Sequence, residues 1–255
     1  MKLPLGVTVA GKHPGRYLDE AKARAAEWGL PLLERPLKGS LAELLETRAD
    51  ALFVLGGDGW VLADAAGSLS FSPGMSLLRI KRLAAGQADD VIVRLCELRP
   101  GDSVLDGTLG LAADAQVCAH VVGATGRVVG VEASRALALL AREGLRRAGS
   151  PIEVVHGSTL EVLRRQEAGS FDCVILDPMF ELPRRASPAF ETLRRFAVHE
   201  PLDAETLAEA RRVARRWVVV KGGRYGKDFK RVGLAPVELT RGSPVMWARV
   251  PGGSR

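Results

Sequence analysis

The chain has 255 residues, 47% hydrophobic and 26% charged, with a formal net charge of +6. That length can bury one large core or two smaller ones, and that balance excludes a disordered or fibrous chain. No apolar stretch approaches the ~20 residues of a membrane span, and Met1-Lys2-Leu3-Pro4 leads into a strand-like run instead of a secretory leader, so a cytoplasmic protein is expected.

Residues 4–10 read as a strand, and Leu18, Ala21, Ala25 and Trp28 share one face of a helix that stops at Gly29. Leu32-Leu33 reads as a short strand. Ser40 with Glu43 forms a capping box for a helix over 41–47. Residues 51–55 form a strand, then Gly56-Gly57-Asp58-Gly59, then the apolar run Trp60 to Ala63. The tetrapeptide resembles the nucleotide motif of NAD and diacylglycerol kinases, but those families follow it with Ser or Thr and a helix. Asp58-Gly59 between two strand-like runs favours a hairpin turn. After the break at 71–75, residues 76–83 read as a short basic helix. The expected organisation is a small α+β N-terminal domain over 1–85 and a second domain over 86–255.

The second domain alternates regularly. Helices are expected at 91–98, 111–122, 134–148, 158–166 and 203–215, and strands at 103–106, 127–132, 152–156, 171–177 and 217–221. Strands near 235–239 and 245–250 close the chain, and the stretch after residue 177 reads as a Pro-rich loop. This alternation predicts an α/β, doubly wound, mostly parallel seven-stranded sheet of Rossmann-like type, with the last two strands antiparallel at one edge.

The chemistry gathers at strand ends, where open α/β sheets bind ligands. The first strand ends in Asp106-Gly107-Thr108-Leu109-Gly110, a turn whose glycines let backbone approach a ligand closely. The second ends in Glu132, where a carboxylate can take both hydroxyls of a ribose. The third ends in Gly157-Ser158-Thr159, small and polar enough for an adenine edge. The GxGxxG fingerprint of NAD dehydrogenases is not met. The fourth strand ends in Asp177-Pro178-Met179-Phe180. Together these predict a site for S-adenosylmethionine (SAM) beside a methyl-transfer centre.

Asp-Pro-Met-Phe resembles the (Asp/Asn)-Pro-Pro-(Phe/Tyr) motif of methyltransferases that alkylate exocyclic amines. An arylamine lone pair is delocalised into its ring. Asp177 and the Pro178 carbonyl can accept both N–H bonds and localise it, while Phe180 stacks on the base. Residues 104–115, Leu176 to Phe180 and Val218-Val219-Val220-Lys221 are more closely similar to the RsmJ-like family, which methylates guanine N2 in small-subunit ribosomal RNA. The resemblance spans about residues 70–225. It implies SAM contacts at Ala113, Asp114, Glu132, Ala133, Ser158, Thr159 and Asp177, beside Asp106, Thr108 and Gly110 of the turn. The family's Gly-Leu-Gly-Arg-Asp is here Gly110-Leu111-Ala112-Ala113-Asp114, a loss of one glycine and one arginine.

Basic residues cluster at Arg79, Lys81 and Arg82, at Arg184 and Arg185, and from Arg211 to Arg231, where one acid interrupts nine cations. With Lys221, Arg224 and Tyr225 near the last strand ends, they form a candidate substrate surface for a polyanion, RNA foremost. N-methylation of tRNA, DNA or a protein amide is the alternative, as is SAM or RNA binding without catalysis. Three scattered cysteines read as buried thiols, and four unpaired histidines predict no metal site.

Overall fold

The structure is a computed structural model describing residues 2, 4–35, 39–87, 89–178, 188–223, 226–239 and 245–253. Contacts divide the chain into two units, Met1–Phe71 with Ser187–Arg195, and Ser72–Ala186 with Phe196–Arg255. The junction thus falls ahead of the one expected near residue 85.

The first unit is built on a four-stranded sheet of β1 (Gly6–Val9), β2 (Ala51–Gly56), β3 (Gly59–Asp64) and β4 (Gly67–Ser70), adjacent in that order. β1 and β2 are parallel, joined through α1 (Leu18–Trp28) and α2 (Leu41–Thr47), and the remaining pairs are antiparallel. The Ser40 hydroxyl accepts the Glu43 N–H at 3.0 Å, the N-cap half of the capping box. Trp28 lies 5.0 Å from Phe53 and 4.8 Å from Trp60 between ring centroids, forming an aromatic core. Gly56 pairs with Gly59 across a two-residue Gly57-Asp58 turn, so the GGDG stretch is a hairpin turn and no helix follows it. β4 had been missed. Its turn is closed by Asp64, whose Oδ1 accepts the N–H groups of Ala66 and Gly67. Arg195, on helix Pro188–Phe196, pairs with the same carboxylate at 2.7 Å.

The second unit contains, in chain order, α3 (Gly74–Ala84), α4 (Val91–Cys96), β5 (Ser103–Asp106), α5 (Ala113–Val122), β6 (Arg127–Glu132), α6 (Arg135–Arg147), β7 (Glu153–His156), α7 (Thr159–Arg165) and β8 (Phe171–Leu176). After β8 the chain forms the helix at Pro188–Phe196 (α8), which belongs to the first unit, and returns as α9 (Ala204–Val213), β9 (Ala214–Gly223), α10 (Lys227–Arg231), β10 (Glu238–Leu239) and β11 (Val245–Pro251). The sheet order is β10-β11-β9-β8-β5-β6-β7. The five strands from β7 to β9 are mutually parallel, while β11 and β10 add antiparallel at the edge. Strand order reverses between β5 and β8, the switch point where such sheets bind ligands. Phe171, Val174, Leu176, Val218 and Val220 form the core beneath it with Leu207, Ala210 and Val213 of α9.

Several boundaries differ from expectation. β9 begins at Ala214 and α9 ends at Val213, so Arg215 and Arg216 extend a strand instead of a helix. Arg216 reaches Asp102 at 3.1 Å and Arg215 reaches Asp172 at 3.2 Å. Arg212 donates to the Leu163 and Gln166 carbonyls, and Arg211 to that of Pro251. The phosphate surface expected over 211–216 is therefore largely engaged within its own unit. β10 spans two residues instead of 235–239, α8 lies in the stretch expected as a Pro-rich loop, and α10 is a helix in a stretch with no expected element. The three cysteines are free and buried, as expected. Among the described residues no helix is long and apolar enough to cross a membrane, and no group of His, Cys, Asp and Glu side chains could hold a metal ion.

Candidate active site

Each strand-end residue is placed by backbone hydrogen bonds before its side chain does anything. The Gly107 N–H donates to the Ile175 carbonyl of β8, and the Leu109 N–H donates to Val131 of β6, at 2.8 Å each. The turn after β5 is thereby stitched to both neighbouring strands. Leu109 lies directly over Gly130, where an added Cβ would stand 2.3 Å from a Leu109 methyl. A side chain at Gly130 would push the turn off the sheet. The turn then passes through two left-handed residues, Gly110 (φ 53°) and Ala112 (φ 61°), before α5 starts at Ala113. Ala112 stands where the resembled family has glycine, which explains that family's preference.

Asp106 is 2% exposed, and its Oδ1 accepts the Thr108 N–H at 3.0 Å. Burial, with the nearby charges of Asp114 and Asp177, pushes its pKa up to about 8. Glu132 is also buried, and burial raises its pKa against the opposing backbone N–H bonds. One of its oxygens accepts Gly110 N–H at 2.9 Å and the other accepts Ser134 N–H at 2.8 Å. A carboxylate has about four acceptor positions, so a pair of hydroxyls can still be taken there. Thr159 donates its hydroxyl to the Gly107 carbonyl, and Ser158 caps α7 with its own hydroxyl left out of the cap.

Asp177 follows β8, and its N–H donates to the Thr108 hydroxyl at 2.5 Å. Leu176 pairs with Val220 across parallel strands, so Asp177 and Lys221 are cross-strand neighbours one step further on. The Lys221 ammonium stands 2.5 Å from Asp177 Oδ2 and 3.6 Å from Asp114 Oδ2, over the Trp247 ring at 5.5 Å. Asp114 also pairs with Arg79, which grips Asp90 at 2.7 and 2.9 Å through two nitrogens. Asp90 in turn caps α4, accepting the Ile92 N–H at 3.1 Å. Five groups thus alternate in sign: Asp177, Lys221, Asp114, Arg79, Asp90. Burial disfavours the Lys221 charge, but Asp177 and Asp114 outweigh it and raise its pKa. Burial likewise presses Asp114 upward, and Lys221 and Arg79 overcome it and hold the carboxyl below its ordinary value. For Asp177 burial wins over Lys221, and the pKa is raised.

Asp106, Glu132 and Asp177 therefore lie at neighbouring strand ends, with Asp114 and Thr159 in the first turns of α5 and α7 beside them, tied together by hydrogen bonds through the β5 turn and by Lys221. Arg79 and Lys221, expected to face a polyanion, are committed inward, each about a quarter exposed. Lys81 and Arg82 are exposed. Phe180, Arg184, Arg185, Arg224 and Tyr225 lie outside the described residues. Asp90 had been missed, although an aspartate before the apolar run Val91-Ile92-Val93 is an N-cap signal.

A parallel sheet with carboxylates at the two strand ends beside its reversal point defines a nucleoside-cofactor-binding α/β protein. The chain matches the SAM_MT family of SAM-dependent methyltransferases over residues 68–237 and belongs to it. It is 31% identical over 239 residues to YpiP of Bacillus subtilis, an alignment covering 89% of this chain and 92% of that one. It is 35% identical over 162 residues to ribosomal RNA small subunit methyltransferase J of Laribacter hongkongensis, covering 58% of this chain and 57% of the relative. The crystal structure of a SAM-dependent methyltransferase from Neisseria gonorrhoeae shares the fold, with TM-score 0.64, 21% identity, and coverage of 98% and 97%. The cofactor is SAM. The residues present fit it: among the described residues of this cluster the acids Asp90, Asp114 and Asp177 outnumber the cations Arg79 and Lys221, which suits a ligand of net positive charge, and a Cβ built on Gly110 meets nothing within 4 Å.

Proposed function

We propose that this SAM-dependent methyltransferase transfers a methyl group to an exocyclic base amine, guanine N2 of small-subunit ribosomal RNA. The observation that carries this reading is Asp177-Pro178 at the end of β8, with the Asp177 backbone N–H fixed on the Thr108 hydroxyl and its carboxylate on the Lys221 ammonium, beside the turn after β5. The relationship to ribosomal RNA small subunit methyltransferase J supports the substrate class.

SAM supplies an electrophilic methyl on a sulfonium. Asp106, Glu132, Ser158 and the Gly110 turn bind it, with Ala113, Asp114, Ala133 and Thr159 around them. Asp177 and the Pro178 carbonyl accept the two N–H bonds of the amine, turning its lone pair out of the ring's conjugation. Fixing the amine in line accounts for much of the rate gain available without a covalent intermediate. As the new bond forms, the nitrogen's excess proton passes to Asp177. The exposed Lys81 and Arg82 of α3 face RNA phosphates, and residues 1–85 contribute to substrate recognition.

Labelling with tritiated SAM tests this on undermethylated small subunits, naked ribosomal RNA, tRNA and DNA, followed by nucleoside analysis. Label is expected in N2-methylguanosine of small-subunit RNA, and Asp177→Ala is expected to abolish it while retaining SAM binding. Label confined to tRNA, DNA or protein refutes the substrate, and wild-type turnover by Asp177→Ala refutes the mechanism.

A further inference from the structure

We propose that Lys221 is a positioning residue, its ammonium clamped between Asp177 and Asp114 so that the Asp177 carboxylate stays ionised and fixed for an incoming amine. The inference rests on the reading that Asp177 accepts amine protons.

Three geometric facts support it. Lys221 is the cross-strand neighbour of Asp177 in the parallel β8–β9 ladder, so the pair is set by sheet register and not by a chance encounter of long side chains. The stem of Lys221 is held from the other side by β11, where Trp247 pairs with it and offers its ring face. Its second carboxylate, Asp114, is anchored by Arg79, itself gripped by Asp90. A lysine tethered on both sides cannot follow solvent or a phosphate, so its charge is directed at Asp177.

Among the described residues the charged groups around Asp177 are Lys221 on β9, Asp114 on α5, Asp106 on β5, and Arg79 on α3 one carboxylate further out. A partly buried carboxyl among two other acids tends to hold its proton, and a protonated acid is a poor acceptor for an amine N–H. Among the described residues Lys221 is the cation that opposes this. The proposal therefore predicts opposite effects of removing its two partners in the clamp. Without Lys221, Asp177 loses its counter-ion. Without the charge of Asp114, Asp177 loses a repelling acid and gains a larger share of Lys221.

The test follows the titration of Asp177 by carboxylate carbon NMR of aspartate-labelled protein without RNA, the Asp177 signal being assigned from its loss in Asp177→Asn. In Lys221→Met the midpoint is expected to rise by about 1–3 pH units. In Asp114→Asn it is expected to fall, and Lys221→Arg is expected to restore the wild-type value. The acidic limb of the kcat–pH profile should move with the midpoint in each variant, with KM for RNA unchanged. If Lys221→Met does not fold, the downward shift in Asp114→Asn and the arginine rescue still decide the matter. Unmoved midpoints, or Lys221→Met and Asp114→Asn moving in the same direction, overturn the proposal. Because the titration needs no substrate, the expected shifts without label in guanine would refute the substrate reading and leave the role of Lys221 standing.

Discussion

Replacing Asp106 with asparagine removes a buried acid with little change of shape, and the consequence can be worked from its surroundings. The side chain is 2% exposed, and burial is the main reason its pKa stands at about 8 instead of 3.8. The unfolded chain releases this proton near 3.8 and the folded chain holds it until about 8. The stabilising contribution is thus fully present below 3.8 and is lost as pH rises toward about 8, levelling off above that. Within the window the slope is one proton, or about 1.4 kcal/mol per pH unit. Between pH ~5.5 and ~7.5 the wild type should lose about 2–3 kcal/mol more stability than Asp106→Asn. Urea unfolding of both proteins, followed by tryptophan fluorescence across that range, measures the difference. The raised pKa of Glu132 tilts both curves alike and cancels. Parallel pH dependences for the two proteins would refute the reasoning, since they would mean that Asp106 ionises normally in the folded state. A carboxylate kept at this cost is expected to serve the cationic cofactor, so the same variant should bind SAM more weakly by calorimetry.

Two further outcomes follow from backbone and surface. Ala112→Gly should stabilise the protein by about 0.5–1 kcal/mol, because the left-handed conformation at φ 61° costs alanine roughly 1–2 kcal/mol and glycine's added chain entropy returns part of that gain; destabilisation in urea would show that the turn relaxes some other way. Replacing Lys81 and Arg82 together by alanine should weaken RNA binding at all sequences and reduce the slope of log K against log salt by about 2, with thermal stability unchanged. An unaltered slope in filter binding would remove α3 from the RNA surface.

What could be read from the sequence was what local chemistry decides. Asp58-Gly59 marks a hairpin turn, Ser40 marks a helix start, and an apolar run ending in Asp106, Glu132 or Asp177 marks a strand whose last residue emerges at the sheet's ligand-binding edge. Those positions needed only neighbours within a few residues, and the structure brings Asp106, Glu132 and Asp177 to adjacent or next-adjacent strands. What could not be read was the fate of each positive charge. Arg79, Lys81 and Arg82 form one basic stretch, yet Arg79 is drawn inward by Asp90 and Asp114 while its two neighbours stay exposed. Arg215 and Arg216 looked like the end of a helix and are strand residues, because Asp172 and Asp102 supply partners that make a cation tolerable at the start of an interior strand. A guanidinium near water and one between two carboxylates have the same local sequence signature, and partners dozens of residues away separate them.

The same limit explains how Lys221 was misplaced. Val218-Val219-Val220-Lys221 reads as a buried strand ending in a cation, and a cation at a strand end beside a basic segment suggests a phosphate contact. The distinction turns on register. In a parallel pair, residues one step beyond matched positions emerge on the same side, so Leu176 opposite Val220 commits Asp177 to Lys221. A shift of one residue would turn Lys221 to the other face and leave the Asp177 carboxylate beside two repelling acids without this counter-ion. The Asp177 carboxylate and its counter-charge are therefore a single property of the β8–β9 pairing.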